Sequence, residues 1–394
     1  MEGKAGRRVA VTGIGVVAPC GVGREAYWQG LLSPVAETGL TRQITDWDPS
    51  PWFDNPKESR RADRFQQFAM ASATMALEQS GDPGGNPDRK GVIIATGVGG
   101  LHSIEEQVQV RVAKGDRRVS PFLVPMMMAN AGAAAVSMRF GWQGPCETIS
   151  TACAAATHAI GYAARLIAWD RCDSVLAGGS EASITLTAIA GFHNMTALST
   201  TGVSMPFDVK RDGFVMAEGS AVLVLEEWGA AEARGATILG EVMGAGSNAD
   251  AHHITAPSPG GTGAIRCIEL ALTDAGLRPG DIRQINAHGT STPLNDAAEA
   301  QAIAKVFGTP GPAVTSTKGV TGHALGAAGA LEAAAVLLSM EHKLIPPTMH
   351  TTTVDPEFGI DVVLGEPRPW EPGPTLSNSF GFGGHNGCLV LAPA

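Results

Sequence analysis

Three residues of this chain combine reactive chemistry with the right kind of place. Cys153 stands in Thr151-Ala-Cys-Ala-Ala-Ala-Thr-His158, His288 in Asn286-Ala-His-Gly-Thr-Ser-Thr292, and His323 in Thr321-Gly-His-Ala-Leu-Gly326. Each follows a strand or turn signal and precedes small residues, the arrangement of sites built at strand ends. Ala154 to Trp169 reads as an Ala-rich helix, so Cys153 lies at its positive end. There the dipole and free N–H groups favour thiolate and can hold an oxyanion, the two requirements of covalent catalysis by a thiol. A lone cysteine is more often a small core residue, and a lone histidine more often structural. The case rests on the three together.

Charge and glycine patterning add to the set. Glu332 is the only charged residue between Lys318 and Glu341, on an otherwise apolar helix. A buried carboxylate needs a partner, and Lys318 is the nearest in sequence. The run Ser377-Asn-Ser-Phe-Gly-Phe-Gly-Gly-His-Asn-Gly387 sets Phe380 and Phe382 among glycines that permit unusual backbone angles and close approach to a substrate.

The elements that must carry these residues alternate as in layered α/β folds. Buried strands read over Arg8–Val17, Gly91–Thr96, Ser174–Glu181 and Ser220–Glu226, with a short one over Thr148–Thr151 leading into Cys153. Helices read over Glu25–Leu32 and Phe65–Ser80, and Ser120 to Arg139 is apolar and rich in Met. The second half repeats the first. Gly213-Phe214, Gly219 and Val222-Leu223 recur 168 residues later as Gly381-Phe382, Gly387 and Val390-Leu391. Thr151-Ala-Cys-Ala154 recurs 170 residues later as Thr321-Gly-His-Ala324, which sets His323 opposite Cys153. Ala76-Leu77 and Gly81 recur as Ala271-Leu272 and Gly276, and the strand Ile93–Gly97 matches Ile285–Gly289. The division falls between residues 1–240, carrying the cysteine, and 241–394, carrying both histidines.

Composition narrows the function. At 394 residues, 44% hydrophobic and 17% charged, the chain can bury a large core. A net charge of −10 argues against general nucleic-acid binding. No apolar run is long enough to span a membrane; the best, Ala324 to Met340, contains Glu332. The first residues lack an apolar signal stretch, and the six cysteines form no CxxC pair or disulfide framework, so the cytoplasm is the expected compartment. The Gly runs lack the GxGxxG spacing and downstream acid of a dinucleotide site.

Thr-Ala-Cys153, Asn-Ala-His288-Gly-Thr-Ser-Thr, Lys318…Thr-Gly-His323 and Asn-Ser-Phe380-Gly-Phe-Gly-Gly, in this order, resemble the β-ketoacyl-acyl-carrier-protein synthases. These are the elongating condensing enzymes of dissociated fatty-acid and polyketide systems, and the resemblance runs over nearly the whole chain. It implies an α/β fold of the thiolase kind, five layers α/β/α/β/α from two similar halves, and a homodimer. It implies that Cys153 takes an acyl group from a carrier protein, with the N–H groups of Cys153 and Phe380 as oxyanion hole. His288 and His323 would hold the malonyl thioester and assist its decarboxylation, with Lys318 and Glu332 as a supporting ionic network. Thr290 and Thr292 match positions that bind the phosphopantetheine arm, Phe380 matches a gatekeeper, and Phe382, Phe192 and Ile104 fall along the substrate path. No free cofactor is implied, because phosphopantetheine arrives on the carrier protein.

The carrier protein of such enzymes is acidic. Lys57, Arg60, Arg61 and Arg64, with Arg117 and Arg118, match a docking surface that steers an acidic partner despite the net charge. The sequence departs from the family pattern at Thr196, where a docking Arg is usual, and at His252, where an aromatic is usual. Met126-Met127-Met128 replaces smaller or branched residues near the acyl pocket, and flexible Met suits an unusual acyl chain. A biosynthetic thiolase would need a second catalytic cysteine in another context than that of Cys388, and an initiating synthase would carry Asn in place of His323. A silent partner subunit such as a chain-length factor would lack Cys153. A ketosynthase of a polyketide or other natural-product pathway is the close alternative.

Overall fold

The computed structural model describes residues 6–34 and 38–394. Eleven strands form its framework: β1 (Val9–Ala18), β2 (Lys90–Ala95), β3 (Cys146–Glu147), β4 (Ser174–Glu181), β5 (Gly219–Glu227), β6 (Gly240–Ala249), β7 (Gln284–Asn286), β8 (Ala313–Thr315), β9 (Asp361–Val362), β10 (Thr375–Gly381) and β11 (His385–Ala392). The longer helices are α1 (Arg24–Leu31), α2 (Arg64–Ser80), α3 (Leu101–Lys114), α4 (Ala131–Phe140), α5 (Ala155–Ala168), α6 (Leu186–Asn194), α7 (Thr262–Ala275), α8 (Pro293–Phe307) and α9 (Ala328–His342).

The strand order is β9-β8-β7-β10-β11-β6-β1-β5-β4-β2-β3. It reads the same from the centre outward on both sides: β1, β5, β4, β2, β3 answer to β6, β11, β10, β7, β8, with β9 added at one edge. In each half the first three strands pair antiparallel and the rest parallel. The halves join where Ala10 and Val11 of β1 pair with Glu241 and Gly240 of β6. The repeated residues fall at matching places, since Val222-Leu223 lie in β5 and Val390-Leu391 in β11, and α2 and α7 end on Gly81 and Gly276.

Five layers follow from which helices each strand touches. α2 and α4 cover the outer face of the first half, and α7 with α8 covers that of the second. Between the halves lie α5 and α9, each in contact with strands of both. Their composition explains the place. All residues of α9 from Ala328 to Met340 are buried, and small Ala and Gly side chains let the backbones approach closely. Gly329 has no room for a methyl group, because a Cβ there would lie 2.1 Å from Thr157 Oγ1. The helix α2 starts on an Asp63 capping box closed by Gln66.

Most strand and helix limits agree with the sequence reading to within about a residue, but the strand read over Ile285–Gly289 ends at Asn286, and a second strand is shorter than expected. The strand expected over Thr148–Thr151 stops at Glu147, because β3 pairs with β2 only at Val92 and Ile93. The chain then runs without partner strands to Cys153, and Ala152 takes a left-handed conformation with φ 50°. Cys153 therefore lies in a tight turn, two residues ahead of α5.

Candidate active site

The middle layer brings the three reactive residues together. Cys153 precedes α5, His323 precedes α9, and His288 follows β7. Cys153 Sγ and His323 Nε2 are 3.0 Å apart, and the two imidazole rings meet edge to face with centroids 5.4 Å apart. Their ligating atoms all lie within 4.8 Å of one another. All three are buried and line a cavity of about 450 Å³.

Electrostatics set their protonation. Burial pushes the Cys153 thiol up to about 11, while Lys318 and the Phe382 amide pull it partly back. Loss of water therefore opposes the thiolate that the helix-end position favours. Burial first, then Lys318, holds both histidines well below the ordinary imidazole range, so both are neutral near pH 7. Lys318 Nζ donates to His288 O (2.6 Å) and to His288 Nδ1 (3.3 Å). Nδ1 is therefore the bare nitrogen, and Nε2–H faces the site as a donor. Lys318 also pairs with Glu332, and both side chains are buried. Burial raises the Glu332 carboxyl to about 7, against the pull of Lys318. Cys153, His288 and His323 are the one group among the described residues with the types and proximity of a metal site. The Lys318 ammonium beside His288 opposes a cation there.

Other expected residues fall around the same cavity. Thr290, Thr292, Phe192, Phe380 and Phe382 line it, and the Thr290 and Thr292 hydroxyls are 2.9 Å apart. Ile104 does not line it and lies half-buried in α3. Met126, Met127 and Met128 are likewise outside the lining, whereas Thr196 is part of it. His252 is exposed.

Two expectations need correction. The amide that bears on the Cys153 thiol is that of Phe382, where the resemblance implied Phe380 for the oxyanion hole. Phe380 lies inside β10 opposite Asn386, whereas Phe382 stands in the turn just past the strand end. Gly381 makes the approach possible, since a Cβ there would lie 2.9 Å from Thr151 O and 3.0 Å from Cys153 N. Arg64 is not a free cation, because its guanidinium holds Glu218 in two bonds of 2.6 and 2.8 Å and the Ile44 carbonyl. Lys57, Arg60, Arg61, Arg117 and Arg118 are exposed, with Arg61 stacked over Phe122.

Sequence reading missed Glu299. Fully buried on α8, it accepts from the amides of His288 (2.8 Å) and Gly289 (2.7 Å) and from Asn378 (3.2 Å). It fixes the backbone that presents His288. Burial lifts its carboxyl to about 7 and that of Asp296, one turn earlier, to about 6. Two acids three apart on a helix are ordinary, and only the packing distinguishes these from solvated ones.

The comparisons with known proteins agree. Residues 33–231 match the family described as beta-ketoacyl synthase, N-terminal domain, and residues 239–352 its C-terminal domain. The chain is 42% identical over 407 residues to a 3-oxoacyl-[acyl-carrier-protein] synthase 2 of Synechocystis sp., covering 98% of each. It is 41% identical over 408 residues to the protein of that name from Staphylococcus aureus, again covering 98% of each. Among solved structures it superposes on the ishigamide ketosynthase/chain length factor with TM-score 0.91 and 34% identity, covering 99% of this chain and 100% of that one. A β-ketoacyl synthase from Burkholderia phymatum gives TM-score 0.89 and 33% identity, covering 98% and 100%. The five layers are those of the thiolase fold, the reactive trio is the Cys-His-His set of condensing enzymes, and the chain belongs to the β-ketoacyl synthase family.

Proposed function

We propose that the protein is a 3-oxoacyl-[acyl-carrier-protein] synthase that joins malonyl-carrier protein to an acyl group held on Cys153. The convergence of Cys153, His288 and His323 in one buried cavity carries this reading. Cys153 Sγ attacks the acyl thioester as its proton passes to His323 Nε2, 3.0 Å away. The N–H groups of Cys153 and Phe382 hold the tetrahedral oxyanion, and the carrier thiol leaves with the proton. Malonyl-carrier protein then enters. His288 Nε2–H and the His323 imidazole hold its thioester carbonyl while the carboxylate departs as CO₂. The electron pair left on carbon attacks the acyl-Cys carbonyl, and the C–S bond breaks to give a 3-ketoacyl chain two carbons longer. Lys318 keeps His288 in the donating tautomer, Glu332 balances its charge, and Glu299 holds the His288 backbone. Thr290 and Thr292 suit the phosphopantetheine arm, Phe380 and Phe192 the acyl path, and no free cofactor is required.

The exposed Lys57, Arg60, Arg61, Arg117 and Arg118 suit an acidic carrier protein. A second copy of the chain suits the face made by the exposed edge strand β3, α3 and α4, where Val112 is 80% and Met138 77% exposed. In such a dimer Ile104 on α3 would reach the acyl path from that face. The halves divide near residue 240, and the cytoplasm fits a chain in which no described helix is long and apolar enough to cross a membrane. A natural-product pathway is the second reading. It is favoured by the ishigamide ketosynthase and by a type II polyketide ketosynthase bound to a hexaketide, which matches at TM-score 0.90 and 31% identity.

The test mixes the protein with malonyl-carrier protein and a ladder of acyl-carrier proteins and follows enzyme and carriers by intact mass. An acyl mass on Cys153 with a product longer by two carbons supports the reading, and the ladder gives the preferred length. Absence of both with active carriers sinks it.

A further inference from the structure

His158 takes no part in the chemistry above, yet it bonds both the nucleophile turn and strand β11. It lies one turn into α5, largely screened from solvent. Its Nδ1 is 2.7 Å from Thr151 Oγ1, and its Nε2 is 3.0 Å from the Asn386 carbonyl and 3.1 Å from Ser247 Oγ. A carbonyl only accepts, so Nε2 carries the proton and bare Nδ1 accepts from the Thr151 hydroxyl. One rigid ring thereby ties the nucleophile turn to β11 and β6. Room is kept for it, since a Cβ on Gly387 would lie 3.0 Å from Nε2.

Both ends of this tie bear on Cys153. Thr151 precedes Ala152, whose φ of 50° is a strained state for alanine. Such strain costs about 1–3 kcal/mol and persists only where the surroundings enforce it. At the other end, Asn386 pairs with Phe380 and His385 with Gly381, so the Asn386 carbonyl belongs to the hairpin whose turn presents the Phe382 amide. The imidazole thus spans from the residue two before Cys153 to the strand paired with β10 just ahead of Phe382. We propose that His158 is a positioning residue for acyl transfer, a strut that sets the Phe382 N–H against Cys153 by holding Thr151 and Asn386 at a fixed separation. The link to acyl transfer rests on the reading of Cys153 as the acyl acceptor.

The test uses the full-length protein with His158→Phe, which keeps a ring and loses the contacts to Thr151, Asn386 and Ser247, and Thr151→Val, which cuts the strut at its Thr151 end alone. Three rates are measured beside Tm: iodoacetamide alkylation at the Cys153 peptide against pH, acylation by acyl-carrier protein, and decarboxylation of malonyl-carrier protein. A lost hydrogen bond to the forming thiolate slows alkylation roughly tenfold at a given pH below the plateau. A displaced oxyanion donor slows acylation by up to about 10²-fold. Decarboxylation, held by the two histidines, stays within about twofold of wild type. Unchanged alkylation and acylation in both variants overturn the proposal, as does a fall of all three rates in step with Tm. If His158→Phe does not fold, Thr151→Val decides by the same readouts. Should wild type neither acylate nor decarboxylate while the alkylation contrast persists, the condensing function fails and the strut stands.

Discussion

His323 Nε2 lies 3.0 Å from Cys153 Sγ although 170 residues separate them in the chain. Each stands just ahead of one of the two central helices, so the pair joins corresponding points of the two halves. A buried thiol raised in pKa beside an imidazole lowered in pKa suits transfer of the proton as the sulfur attacks. In the proposed mechanism the labour divides between residues, since Cys153 carries the acyl group while His288 and His323 hold the malonyl carbonyl.

That division is separable by mutation. Cys153→Ala should abolish acylation, and malonyl decarboxylation should persist within about tenfold of wild type. His288→Ala should do the reverse, with decarboxylation lowered about 10²-fold or more and acylation far less affected. Intact mass and CO₂ release read the two half-reactions independently, and parallel losses in both variants would refute the division.

The Lys318–Glu332 pair is buried and load-sharing between fold and chemistry. Lys318→Met leaves a buried carboxylate unpaired and should cost about 3–5 kcal/mol, read by chemical denaturation. Lys318→Met with Glu332→Leu should regain most of that stability and none of the condensation, because His288 loses the donor that fixes its tautomer.

Glu299 gives a pH-dependent signature. Its carboxyl is raised to about 7 in the fold, whereas in the unfolded chain it ionises near the ordinary glutamate value of 4.5. The native state therefore holds the proton more tightly, and the stability due to this group is full below about pH 4.5 and lost as pH rises through about 7. Glu299→Gln should cost more at pH 5 than at pH 7.5, with the difference changing by about 1 kcal/mol per pH unit between them. Denaturation at four pH values measures it; a flat difference would contradict the raised carboxyl.

Gly381 packs directly on the nucleophile turn. Gly381→Ala places a methyl group 2.9 Å from Thr151 O and 3.0 Å from Cys153 N, against backbone atoms that cannot swing away. Acylation should fall about tenfold or more as the Phe382 amide moves off the sulfur. Single-turnover kinetics should show this with alkylation still measurable; full acylation would show that the turn yields.

Docking by the basic surface predicts a split between substrates. Arg60→Glu with Arg61→Glu should lower the second-order rate with carrier-bound substrate about tenfold at low salt. The rate with a small pantetheine thioester should not change. Equal effects on both substrates would place these residues elsewhere in the mechanism.

Much of this was legible in the sequence because it is local. Strand and helix periodicity, the small residues of α5 and α9, the glycine-rich hairpin and the ordered repeat all lie within short windows of chain. The repeat even sets His323 opposite Cys153, since two similar halves facing each other bring corresponding points to their common centre. Glu332 was recognisable as a buried acid from its apolar surroundings alone.

Other features depend on distances between segments far apart in sequence, which no window contains. Whether Arg64 faces a carrier protein or Glu218 is decided by a residue 154 positions away. Phe380 and Phe382 differ by one strand repeat, and only the end of β10 at Gly381 settles which amide is free to meet the sulfur. Glu299 and Asp296 look like any helix acids until packing removes their water. The sequence thus determined which residues react and which elements carry them. The tertiary structure decided their protonation and partners, because desolvation and hydrogen-bond geometry arise only when the layers close.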